Sequence, residues 1–159
     1  VIPSLLDDLL RLGLAMVIGS LIGLNRDLHG KPAGLRTNAL VALGSALIVI
    51  AGGQLQGTVD FHASDAQSRA IQGLITGIGF LGAGVILRKT GEDRVTGLTT
   101  AAAVWVAALF GAACGAGAFG PVLIAFALVL LVLIFGGQVE HRLHRLLGHT
   151  DTPSDKTDS

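Results

Sequence analysis

The sequence predicts an all-α fold, a polytopic membrane bundle of about five transmembrane helices, N-terminus outside and C-terminus cytoplasmic. Three observations predict it. Hydrophobic residues make up 51% of the 159 positions and charged residues only 14%. Apolar runs long enough to cross a bilayer recur through most of the chain. Lys and Arg gather on alternate connections, nine of the eleven on one side, which makes that side cytoplasmic. The lipid bilayer is therefore the implied surrounding. A net charge of zero offers nothing to nucleic acid. Cys114 stands alone and forms no internal disulfide.

Segment one runs roughly from Leu5 to Leu24. Asp7 and Asp8 stand where a signal peptide would be basic, so the segment reads as a retained helix. Arg11 follows them at helical spacing for pairing. It reads either as a snorkelling interfacial residue or as a functional intramembrane charge. Gly19 and Gly23 form a small-xxx-small pair for close packing. The loop that follows turns at Pro32 and Gly34 and carries Arg26, Lys31 and Arg36. Folding back, it would bring Arg36 to Asp27 as an ion pair. Thr37 or Asn38 is placed to cap segment two, roughly Thr37 to Gly53. A polar connection with Asp60, His62 and Asp65 leads on, and His62 has no ligand partner at a metal spacing.

Segment three, roughly Arg69 to Leu87, holds the glycine-rich run Gly73 to Gly84. Its Gly77-Ile78-Gly79-Phe80-Leu81-Gly82 fits the dinucleotide pattern, but the flanks lack the strand and the acidic residue that pattern needs. At about 100° per residue, Ala70, Gly73, Gly77 and Gly84 share one face, and Gln72, Thr76, Gly79 and Ala83 a second. Leu74, Ile78, Leu81 and Val85 form a third face, toward lipid or a pocket of large residues. Two small faces predict a helix gripped from both sides near the bundle centre, where Gly77→Leu would disrupt assembly. Gln72 and Thr76 are its intramembrane polar residues. Arg88, Lys89 and Arg94 mark the next loop. Segment four, roughly Leu98 to Cys114, is crowded with alanine, and a tight connection leads to segment five, roughly Pro121 to Phe135, apolar and peripheral. The expected division is a transmembrane domain over 1–137 and a tail over 138–159, first basic and then disordered.

Gly34-Leu35-Arg36-Thr37-Asn38-Ala39 resembles Gly97-Leu98-Thr99-Thr100-Ala101-Ala102. Each block follows a basic loop and opens an outward-running helix. Segments one-two and three-four thus read as parallel repeats, or as a chance match.

Four blocks carry a family resemblance: Gly19 to Asp27, Pro32 to Thr37, Gly77 to Gly84, and Gly97 to Ala102 with Trp105. Together, in order over about residues 5–137, they resemble the MgtC/SapB membrane proteins. The resemblance implies a multi-pass protein of the bacterial inner membrane linked to magnesium-limited growth and, in some members, to virulence. It also implies, for some members, restraint of the proton-translocating ATP synthase. Position 25 is Asn where many members have Glu, which puts a carboxylate role there in doubt. Longer members carry a soluble C-terminal domain, for which the residues after segment five are too few.

Two functions stay open. One is a regulator that tunes cation homeostasis or binds a membrane complex, and the other a transporter or channel for Mg2+ or another cation. An enzyme finds no nucleophile–base pair and no metal cage in the sequence. Mg2+ favours carboxylates, and the uncharged cores of segments two to five hold none. No cofactor is required; bound Mg2+ and a homo-oligomer are both compatible with the resemblance. The candidate functional cluster is Asn25, Arg26, Asp27, Arg36, Thr37 and Asn38, with Thr99 and Thr100 from the related turn. The bland alternative is that the arginines set topology and the threonines cap helices.

Overall fold

The computed structural model describes residues 2–54, 63–88 and 95–146. The connection around His62, the loop residues 89–94 and the tail 147–159 lie outside the described residues. The described residues form five helices: α1 (Ile2–Leu28), α2 (Leu35–Gln54), α3 (Ala63–Val85), α4 (Leu98–Gly115) and α5 (Phe119–Leu146). Between α3 and α4, β1 (Leu87–Arg88) and β2 (Val95–Thr96) pair antiparallel, Leu87 opposite Thr96. Among the described residues, three helical stretches are long and apolar enough to cross a membrane: Leu35–Gln54, Leu98–Gly115 and Phe119–Gly137. Both α1 and α3, which carry charged residues within their length, are outside that set. The expected boundary at 137 falls inside α5, which runs on to Leu146.

Local chemistry sets the helix ends. At the end of α1, Gly30 adopts φ +61°. The Lys31 amide returns to the Arg26 carbonyl and the Gly30 amide to that of Asp27, a Schellman closure that needs a left-handed residue. The same closure ends α4, with Gly117 at φ +76° and Ala118 N–H on the Ala113 carbonyl. The matched blocks start α2 and α4 alike. The Asn38 amide donates to the Gly34 carbonyl at 3.1 Å and the Ala101 amide to the Gly97 carbonyl at 2.8 Å.

At the bundle centre stands α4, which packs against α1, α2, α3 and α5. Its buried residues are mostly small: Ala103, Ala107, Ala108, Gly111, Ala112, Cys114 and Gly115. Ala103, Ala107 and Cys114 meet Ala15, Ile18 and Ile22 of α1 and Ala46 of α2 in one core. Contact there is backbone to backbone. A β-carbon on Gly19 would lie 2.5 Å from the Asn38 carbonyl oxygen, and one on Gly23 2.5 Å from that of Gly34. Without a hydrophobic drive between helices in lipid, such close approach is what holds them together. At the periphery, α5 joins through Val122 and an edge-to-face pair of Phe110 and Phe126, centroids 5.9 Å apart.

The expectation of a central third segment is corrected. A β-carbon on Gly73, Gly77, Gly79 or Gly84 would meet nothing within 4 Å, and Phe80 is 83% exposed. Of the α3 glycines named, Gly82 alone faces a neighbour: a β-carbon there would lie 3.7 Å from Ala101 Cβ. From the large-residue face Ile78 turns inward, packed on Val104 and Ala108, while Leu81 is exposed. Alanine explains the exchange. It permits close approach on every side of α4 without glycine's cost in a helix of up to ~1 kcal/mol per residue.

Candidate functional site

At one end of the bundle the last turns of α1 meet the first turns of α2 and α4. Arg26 comes from α1, Asn38 from the second turn of α2 and Thr100 from the first turn of α4. All three are buried, Arg26 with 6% of its surface exposed. The Arg26 guanidinium donates from Nη2 to Thr100 Oγ1, across 74 positions of sequence. Asn38 Nδ2 donates to the carbonyls of Ala33 and Gly34. Ala33 stands at φ +57°, an uncommon conformation for a residue with a β-carbon. Three buried side-chain atoms have no partner among the described residues: Arg26 Nε and Asn38 Oδ1 at this end, and Arg11 Nε at the other. Each orphan costs about 1–3 kcal/mol.

The remaining cluster residues form a rim. Asn25 is half-buried, and its carbonyl takes a hydrogen bond from His29 Nδ1 at 2.7 Å. Asp27, Arg36, Thr37 and Thr99 are exposed. Asp27 does not pair with Arg36. Its Oδ2 accepts the Leu35 amide at 2.8 Å, so this carboxylate caps the N-terminus of α2 in place of Thr37 or Asn38. A cap is local and answers both an orphan amide and the helix dipole, whereas a surface ion pair contributes ~0–1 kcal/mol. At α4 the N-cap is Gly97, φ +93°, with no side-chain hydrogen bond, so Thr99 and Thr100 are not its caps.

Arg11 lies at the opposite end. Its Nη2 pairs with Asp7 at 2.6 Å and its Nη1 donates to the Gly115 carbonyl at 2.9 Å, closing the C-terminus of α4. It lines a cleft of about 330 Å3 with Asp7, Asp8, Gln54 and Gln67. Gln54 Nε2 reaches Asp8 Oδ2 at 3.4 Å. Asp8, Gln54 and Gln67 were not candidates from the sequence, because each sits at a separate helix end and only packing joins them. Gln72 and Thr76 are exposed on α3, Thr76 Oγ1 bonding the Gln72 carbonyl. Neither joins the cluster. Among the described residues, no three His, Cys, Asp or Glu side chains group to hold a metal ion.

Comparison with known proteins gives consistent matches. A sequence model described as the MgtC family matches residues 12–142. Protein SrpB of Synechococcus elongatus is 49% identical over 77% of this chain and 71% of its own length. Protein SapB of Bacillus subtilis is 42% identical over 80% of this chain and 54% of its own. Protein MgtC of Salmonella typhimurium is 38% identical over 87% of this chain and 56% of its own. The chain thus spans little more than half the length of the last two. No solved structure matches it.

Proposed function

The chain belongs to the MgtC family, and from that premise we propose that it is a regulator in the bacterial inner membrane rather than a conduit or an enzyme. It crosses the membrane five times in this reading, with the Arg26 end cytoplasmic. That end engages a membrane complex, such as the proton-translocating ATP synthase that the family resemblance suggests, and so tunes Mg2+ homeostasis.

One observation carries the reading. Where α1 and α4 meet α2, glycines lie directly on its backbone: Gly19 on Asn38, Gly111 on Ala42 and Gly115 on Ala46. Such contact leaves no width for a hydrated Mg2+, which gives up its waters reluctantly. Arg26, Asn38 and Thr100 collect at one end instead, where a partner can reach the exposed Asp27, Arg36, Thr37 and Thr99. The transport reading draws on the cleft at the Arg11 end, where Asp7 and Asp8 converge.

Growth at limiting Mg2+ tests the regulator. Asn caps a helix about as well as Asp, so Asp27→Asn is expected to keep abundance and melting temperature while losing growth. Arg36→Lys separates the roles of Arg36. The two residues count alike for topology but not for fork-like recognition, so growth is expected to fall. Normal growth of both variants at matched protein level would remove this end as the regulatory surface.

A further inference from the structure

We propose that the Arg26 end contains a binding site for a phosphate group, formed by the first-turn amides of α4 and the Arg26 guanidinium. The proposal rests on reading that end as functional and supplies the ligand class.

Its first support is a difference between two otherwise matched helix starts. At α2 the Asp27 carboxylate takes the Leu35 amide. At α4 the N-cap is Gly97, and among the described residues no side chain caps the helix. The Ala101 amide is used by the Gly97 carbonyl, and those of Leu98, Thr99 and Thr100 lie ahead of the intrahelical ladder, as in any first turn. One helix of the pair has its anion built in; the other has none among the described residues.

The second support is independent and concerns Arg26. Its guanidinium is buried, is aimed at this first turn through Thr100, and has an Nε without a partner. Among the described residues the ion pair is Arg11 with Asp7, and Arg26 has none. Burial disfavours this cation; the last turn of α1, in which Arg26 sits, offsets the positive end of α4 but supplies no full counter-charge. Arg11 makes the contrast on the same helix. Its Nε lacks a partner as well, but it has a counter-charge: it sits at the negative end of α4, on the Gly115 carbonyl and paired with Asp7. Among the described residues no carboxylate pairs with Arg26, and the proposed anion supplies that counter-charge.

Phosphate fits best. Its oxygens accept both from helix-terminal amides and from a guanidinium fork. Lys31 and Arg36, exposed nearby on the α1–α2 connection and the start of α2, add charge of the same sign. Leu28, Leu35 and Leu98 are exposed beside the site, as an anionic phospholipid headgroup with its chains would require. Free inorganic phosphate is the other source of the same chemistry.

The test uses the full chain, purified in phosphatidylcholine nanodiscs. Inorganic phosphate is titrated at constant ionic strength against chloride, and phosphatidylglycerol is added in a parallel series, with the melting temperature read throughout. Equilibrium dialysis with labelled phosphate and native mass spectrometry for retained phosphatidylglycerol read binding directly. The wild type is expected to bind and be stabilised by phosphate, phosphatidylglycerol or both, and the responding series identifies the source. Arg26→Gln is expected to weaken that response about tenfold, as loss of a charged hydrogen-bond partner does. It should also raise the melting temperature without anion, because an unanswered buried charge is gone. Arg26→Lys should recover part of the binding. Absence of wild-type binding in both series overturns the proposal, whatever the variants do. So does an Arg26→Gln protein that melts lower without anion and binds as the wild type does. Binding is read without reference to growth, so normal growth of Asp27→Asn removes the regulatory reading and leaves the site standing.

Discussion

Gly111→Ala is expected to remove most folded protein from the membrane. A β-carbon at position 111 would lie 2.7 Å from the Ala42 carbonyl carbon and 2.8 Å from Ala42 Cα. These are backbone atoms of a buried helix, so no rotamer change relieves the clash, and α2 and α4 must separate. Overpacking a core costs about 1–3 kcal/mol where side chains can shift, and the upper end or more is expected where they cannot. The separation would spread, because Gly115 packs on Ala46 in the same pair of helices, where a β-carbon would lie 2.5 Å from the Ala46 carbonyl oxygen. Gly77→Leu serves as the control. It adds more carbon, but into space with no neighbour within 4 Å, so near-wild-type yield is expected. Size-exclusion profiles of the two variants in mild detergent make the comparison. Equal yields would mean that the α2–α4 contact is not the one described.

Gly97→Ala is expected to be nearly as damaging, by a different route. Gly97 stands at φ +93°, where a β-carbon costs about 1–2 kcal/mol. That carbon would also press into the Val85 carbonyl group, 3.0 Å from its carbon, and lie 3.3 Å from Ile86 Cα. The clash falls at the junction of α3 with α4. Relief must move the first turn of α4, and with it Thr100, away from Arg26. The variant is therefore expected to melt several degrees lower and to lose phosphate binding together with the Arg26–Thr100 bond. Retained binding at a lowered melting temperature would separate the junction from the site.

Legibility in the sequence followed the range of the interactions. Local patterns placed the helices: apolar length marked α2, α4 and α5, and the Gly34 and Gly97 blocks marked two equivalent helix starts. Those blocks are also why Arg26, Asn38 and Thr100 could be grouped, since equivalent turns return to the same end of the bundle. The wrong choice of central helix has a physical cause. Small residues permit close approach without requiring it, and the α3 glycines are left open while the α4 alanines are covered. Periodicity alone does not tell these apart. Asp27 met a competitor that charge counting ignores, the orphan amide of Leu35. Arg11 binds the carbonyl of Gly115, 104 positions away, and no spacing rule reaches that far.

The central claim is that α1, α2 and α4 close the middle of the bundle and leave its ends to act. Mg2+ entry into liposomes that contain only the purified protein, with an internal Mg2+ indicator, tests it most directly. The account predicts entry no faster than in protein-free liposomes, with or without a membrane potential. Saturable entry that scales with protein content and is lost on Asp7→Asn with Asp8→Asn would contradict it and make the cleft at the Arg11 end the mouth of a pathway.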